Sequence, residues 1–265
     1  MSSFSKGTAL ITGASTGIGA VYADRLARRG YDLILVARNR ERLGELARRL
    51  ADATGRTIQT FPADLNNPAE LAEVEKLLRT DRSISMLVNN AGVASVSPLL
   101  EGDVERMSDI ISLNVTALTR LTYAAVPGMI ERGGSAVINI ASVVAVAPEL
   151  LNGVYGGSKA YVLAFTRSLH HELAERGLRV QAVLPGATAT EFWDVAGRPV
   201  SDLPSAIVMS AENMVDAALA GFDQGEVFTV PALPDAADWR SYEDSREKLL
   251  PNLSRSEPAA RYLVG

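Results

Sequence analysis

Short apolar runs and longer amphipathic stretches alternate along this chain. Seven runs predict strands: Thr8–Ile11, Leu33–Ala37, Ile58–Pro62, Met86–Asn89, Ala136–Ile140, Val180–Leu184 and Val227–Val230. Most are nearly continuous in Val, Ile, Leu and Ala, the pattern of strands buried on both faces. Helical periodicity lies between them, over residues 18–29, 40–53, 68–80, 103–131, 155–176 and 211–222. This alternation predicts an α/β fold, a parallel sheet of about seven strands flanked by helices on both faces. Two regions break the rhythm. Residues 187–210 mix aromatics, glycine and proline, and residues 231–265 form a tail rich in Pro, Asp and Arg with Trp239, Tyr242 and Tyr262.

Composition narrows the possibilities. The 265 residues are 47% hydrophobic and 22% charged, enough for one large domain with a well-buried core. No linker-like stretch divides them, so a single domain over 1–265 is expected. The net charge of −5 argues against nucleic acid or an anionic membrane as partner. Cysteine is absent, which excludes disulfides, a thiolate nucleophile and Cys-based metal sites. No apolar run approaches the roughly 20 residues of a membrane helix, and MSSFSKGTALITG carries no hydrophobic leader. A cytoplasmic protein is expected. The two histidines, His170 and His171, are adjacent and point about 100° apart on a helix, so they form no ligand pair. No metal site is expected.

The first strand runs into TGASTGIG, residues 12–19, with glycines at 13, 17 and 19. Glycine allows positive φ and close approach of a ligand to the backbone. The helix that follows aims its first N–H groups at a phosphate. Within a strand–turn–helix unit at the start of an alternating fold, this predicts a dinucleotide site in a Rossmann-type, doubly wound sheet. NAD sites usually place an acidic side chain about 20 residues on. Here that neighbourhood holds Ala37 and Arg38. An arginine fork pairs with a 2′-phosphate, so NADP(H) is favoured over NAD(H). Asp64, after the third strand, either accepts from the adenine amine or serves as a turn or cap residue. Asn89 and Asn90, in NNAG, either tie strands together or contact the adenosine ribose.

A second stretch, YGGSK at 155–159, opens a helical pattern. Positions i and i+4 share a helix face, so Tyr155 and Lys159 project together. Free tyrosine has a pKa near 10, and a neighbouring ammonium is expected to lower it. Such a phenol gives a proton to a carbonyl oxygen, or takes one from an alcohol. The glycines between them are expected to let cofactor and substrate approach the helix. Ser142, just past the strand AVINIA, lies where open α/β sheets bind ligands. Asn114, on an otherwise apolar helix, is expected to bond a helix carbonyl and hold a water leading to Lys159.

Together these elements resemble the short-chain dehydrogenase/reductase family, in its branch of about 250 residues. The likeness rests on TGASTGIG, the ADL of Asp64, NNAG, the LNV of Asn114, Ser142, the YxxxK of Tyr155 and Lys159, and PG at 185–186. It implies a catalytic tetrad of Asn114, Ser142, Tyr155 and Lys159. It implies a cofactor held by Gly13, Ser15, Thr16, Gly17, Ile18, Gly19, Arg38, Asp64, Leu65, Asn90, Ala91 and Gly92. Tyr155 and Lys159 would reach the nicotinamide side, with Pro185, Gly186, Thr188 and Thr190. Residues 187–210 become a substrate lid. Val144, Leu150, Leu151, Phe192 and Trp193 are expected to line an apolar pocket for an uncharged or aromatic substrate. The glycine turn lacks the basic residue common in NADP-preferring members, which leaves Arg38 as the main pointer. The helices near 103–131 and 155–176 resemble those by which the family dimerises, so a homodimer or homotetramer is expected.

These features imply a reductase or dehydrogenase interconverting a small carbonyl compound and its alcohol. Two other classes share the fold: a non-catalytic dinucleotide-binding regulator, and an epimerase or dehydratase working through a transient ketone.

Overall fold

The computed structural model describes residues 6–263, which form two compact units divided after Pro231. In the first unit the chain runs β1 (Thr8–Thr12), α1 (Gly17–Arg28), β2 (Asp32–Ala37), α2 (Arg40–Thr54), β3 (Ile58–Pro62), α3 (Pro68–Thr80) and β4 (Ile84–Asn89). It continues through α4 (Val104–Ile111), a π-helical turn (Ser112–Ala117), α5 (Leu118–Arg132), β5 (Ser135–Ile140), α6 (Gly153–Leu173) and β6 (Leu178–Val183). The last pieces are β7 (Thr188–Ala189), α7 (Phe192–Ala196), β8 (Met209–Ser210), α8 (Ala211–Gln224) and β9 (Phe228–Thr229).

Seven strands make one parallel sheet in the order β3-β2-β1-β4-β5-β6-β9. The order reverses between β1 and β4, and ligands bind such sheets at the strand ends beside that reversal. Successive side chains point to opposite faces, which explains the unbroken apolar runs. Ala9, Ile11, Leu33, Leu35, Met86 and Val88 pack on one side against residues of α1, α2 and α8. Leu10, Ile34, Val36, Leu87 and Val137 pack on the other against residues of α3 and α5.

The long helix expected at 103–131 is divided by the π-helical turn. Asn114 lies within that turn, and π-bulges often mark functional sites. The irregular stretch at 187–210 holds a small parallel pair, β7 with β8, the short helix α7 and two 3₁₀ turns, Val200–Asp202 and Ser205–Ile207. The second unit carries α9 (Ala236–Glu247), where the Trp239 and Tyr242 rings pack tilted, with centroids 5.1 Å apart.

Candidate active site

The glycine turn and NNAG form one body at the end of β1. The Thr12 hydroxyl accepts from the backbone N–H of Asn90 and of Ala91, each at 3.0 Å. Asn90 Nδ2 donates to the carbonyls of Thr12 (2.9 Å) and Gly13 (3.1 Å), so this side chain braces the turn. Gly13 and Gly17 have φ of +64° and +53°, in the left-handed region. A Cβ on Gly19 would run into the Gly13 carbonyl. Helix α1 starts without a side-chain cap at Thr16 and without an acid in its first turn. Helices α2, α3, α4, α6, α8 and α9 are capped by Asn39, Asn67, Asp103, Asn152, Ser210 and Asp235. The free N–H groups of α1 suit a phosphate.

Arg38 stands exposed at the end of β2. One turn on, Arg42 Nη1 lies 2.7 Å from a carboxylate oxygen of Glu191. Asp64 accepts from the Asn66 backbone N–H at 3.0 Å, a turn role. Asn89 Nδ2 donates to Thr122 (3.0 Å) and Asn139 (2.9 Å), which ties β4 to α5 and β5. Leu65 and Ala91 border a narrow packing gap with Thr12, Leu113 and Ala117, too small to admit a water.

The four polar residues of the second constellation converge beyond β4 and β5. All are buried: Asn114 is 1% exposed, Tyr155 and Lys159 5% each, and Ser142 9%. Tyr155 is the third residue of α6, and the Ser142 side chain adjoins its hydroxyl, slightly favouring the ionised phenol. Ser142 also donates toward the Pro185 carbonyl at 3.4 Å. Lys159 Nζ donates to the Ile140 carbonyl at 2.8 Å and lies 5.8 Å from the Tyr155 ring centroid. A Cβ on Gly92 would be 3.2 Å from Asn114 Oδ1 and 3.4 Å from Lys159 Nζ, so NNAG, π-turn and α6 meet at one point. Burial pushes the Tyr155 phenol up to about 12, against a smaller lowering by Ser142. Burial also brings the Lys159 ammonium down to about 8.

An apolar wall stands beside Tyr155. Val144 and Ala94 pack with it, joined by Val93, Val96, Leu151 and Phe192. The Phe192 ring lies 6.0 Å from that of Tyr155, centroid to centroid. Leu150 is 62% exposed and lies outside this cluster. Trp193 is buried instead, its indole N–H donating to the Thr188 carbonyl at 3.0 Å, so it braces α7. Thr190 packs over the glycine turn, its Cγ2 3.0 Å from a Cβ built on Gly17. A Cβ on Gly186 would meet nothing within 4 Å, which leaves room above the Pro185–Gly186 step.

Residues 7–199 match the family described as short chain dehydrogenase. The chain belongs to that family. A short-chain dehydrogenase from Sphingobium yanoikuyae, solved in complex with NADPH, is 47% identical with a TM-score of 0.94, over 97% of this chain and 100% of that one. The bulky-bulky ketone specific alcohol dehydrogenase from Comamonas testosteroni is 42% identical with a TM-score of 0.91, over 98% and 100%. An uncharacterised oxidoreductase of Staphylococcus saprophyticus is 36% identical over 183 residues, 69% of this chain and 78% of that protein.

Within this short-chain oxidoreductase three expectations need correction. Asn114 does not bond a helix carbonyl. Its amide accepts from the Val93 N–H (3.0 Å) and donates to the Val93 carbonyl (2.9 Å) and Ser158 Oγ (3.0 Å), so it anchors the loop after NNAG. Gly156 does not open α6 to a ligand, because a Cβ there would meet Pro148 at 2.7 Å. The Tyr155 phenol is not made more acidic, because burial raises its pKa. One residue escaped the sequence reading: Arg106 donates to the carbonyls of Ala94 and Val195. It had no motif to signal it. Among the described residues no group of three His, Asp or Glu side chains could hold a metal, and no helix is long and apolar enough to cross a membrane.

Proposed function

We propose that this protein is an NADP(H)-dependent oxidoreductase that interconverts a ketone or aldehyde and its alcohol, acting on uncharged apolar or aromatic substrates. The observation that carries the reading is the Tyr155 hydroxyl, beside Ser142 and set against an apolar wall, with buried Lys159 one turn along the same helix. The N-terminus of α1 and the glycine turn would hold the pyrophosphate, and exposed Arg38 would pair with a 2′-phosphate. A bound nicotinamide supplies or accepts the hydride at the substrate carbon.

Tyr155 handles the proton. With its pKa raised to about 12 it keeps that proton at neutral pH, ready for a carbonyl oxygen that gains charge as the hydride arrives. Oxidation runs the transfer backwards. Ser142 would hold the same oxygen in place by hydrogen bonding, and Asn114 keeps the adjoining loop in position. The wall of Val144, Leu151 and Phe192 supports an apolar substrate, since an uncompensated charge there would be desolvated at high cost. The ketone specificity named for the Comamonas relative points the same way. Tyr123, 71% exposed and stacked on Phe165 at 6.4 Å, supports pairing of two copies through α5 and α6.

A panel of ketones and alcohols followed by nicotinamide absorbance, with NADPH and NADH at equal sub-saturating concentration, tests the reading. Consumption of NADPH with aryl ketones, faster than with NADH, is expected. Tight NADPH binding without turnover of any panel member would remove the oxidoreductase assignment.

A further inference from the structure

The two glycines of YGGSK occupy different surroundings. Both lie in α6, and neither has a positive φ. Alanine would favour the helix at either place. A Cβ on Gly157 would meet no atom within 4 Å. A Cβ on Gly156 would lie 2.7 Å from Pro148 Cβ and 3.0 Å from Pro148 Cα. Those are ring and backbone atoms, so no change of rotamer can move them aside. Gly156 is the seat on which the preceding loop rests, directly after the tyrosine.

That loop is stiff. Ala147 N–H donates to Val143 (3.1 Å), Leu150 N–H to Ala147 (3.2 Å) and Leu151 N–H to Pro148 (3.3 Å). Both of its ends are held: Val143 N–H donates to the Pro185 carbonyl at 3.0 Å, and Asn152 Nδ2 donates to Ser97 at 2.6 Å. It carries exposed Leu150, and Leu151 in the wall beside Tyr155. A loop so braced responds to pressure at Pro148 by moving as a piece. We infer that Gly156 is a positioning residue, setting the distance between Tyr155 and the wall loop 147–151, and through it the size of group accepted beside the reacting carbonyl. The inference rests on the proposed role of Tyr155.

The test uses the full chain with two aryl ketones, acetophenone and butyrophenone, which differ only in the second flank. Gly156→Ala is expected to shift the ratio of their kcat/KM values at least fivefold, mainly through KM, with NADPH Kd within twofold of the unaltered protein. Gly157→Ala makes the same helix change without the contact and leaves the ratio within twofold. Pro148→Gly removes the opposing Cβ and also shifts the ratio. The double variant moves the methyl from one partner to the other and returns the ratio to within twofold. Gly156→Ala behaving like Gly157→Ala, or a double variant no closer to the unaltered protein than Pro148→Gly, overturns the inference. The Pro148→Gly pairing decides the matter if Gly156→Ala does not fold. An unaltered protein that turns over neither ketone with either cofactor sinks the proposed function and this inference with it; an active protein with an unmoved ratio sinks this inference alone.

Discussion

Lys159 Nζ lies 5.8 Å from the Tyr155 ring centroid and spends a hydrogen bond on the Ile140 carbonyl at 2.8 Å. The pair shares a helix face, as i and i+4 must, and the Ser142 side chain adjoins the phenol. Burial separates the two titrations. It pushes the phenol up to about 12 and the Lys159 ammonium down to about 8, so at neutral pH the phenol keeps its proton. In this state Tyr155 is a proton donor. Tyr155→Phe is therefore expected to lower kcat for ketone reduction by about 10²–10⁴-fold. NADPH Kd by fluorescence titration should stay within about twofold, and preserved turnover would assign the proton to another group.

Burying the ammonium also costs stability. A native pKa of about 8 against 10.5 means that the unfolded chain binds more protons than the native one between those values. Stability from this group therefore rises as pH climbs through that window. At about 1.4 kcal/mol per unit, the penalty below pH 8 is at most about 3 kcal/mol. Lys159→Met should stabilise the fold by about 1–3 kcal/mol at pH 7. Urea midpoints of both proteins at pH 7 and pH 10 check the sign, because the gain must shrink at the higher pH.

Cofactor choice turns on Arg38. A charge-assisted hydrogen bond to a phosphate contributes about 1.5–3 kcal/mol, so Arg38→Ala should raise the KM for NADPH about 10–100-fold. The KM for NADH should change by less than about threefold, since that cofactor lacks the phosphate. Equal losses for both cofactors would place Arg38 outside the discriminating contact.

Arg106 spans the wall, with one guanidinium nitrogen directed at Ala94 and Val195. Arg106→Ala removes one of the ties between α7 and the loop after NNAG, leaving the Val96 N–H to Ala196 carbonyl bond in place. A rise of several-fold in ketone KM is expected, with NADPH Kd unchanged, and Arg106→Lys should recover part of it. A variant that loses NADPH affinity instead would place the residue in the cofactor cleft.

Much of the fold was legible because buried parallel strands leave a strong local mark. All seven strand runs appear in the sheet, although Val227–Val230 shortens to two paired residues at the edge. The glycine turn was equally plain, since Gly13, Gly17 and Gly19 meet steric demands no other residue satisfies as well. The interruption around Asn114 was invisible, because an apolar periodic pattern reads the same through a π-turn. Arg106 was hidden for another reason: Val195 stands 89 residues along the chain, and a contact with a carbonyl leaves no motif.

By itself, then, the sequence determined which residues face the sheet, where the chain turns sharply, and that a phenol and an ammonium share one face of a helix. These follow from local sterics and from the periods of strand and helix. Only the tertiary structure decided the protonation preferences of Tyr155 and Lys159, and that the two neighbouring glycines play different parts. Desolvation and close packing depend on what the rest of the chain places around a group. Pro148 against Gly156, and the closed wall around Tyr155, exist only once distant segments have come together.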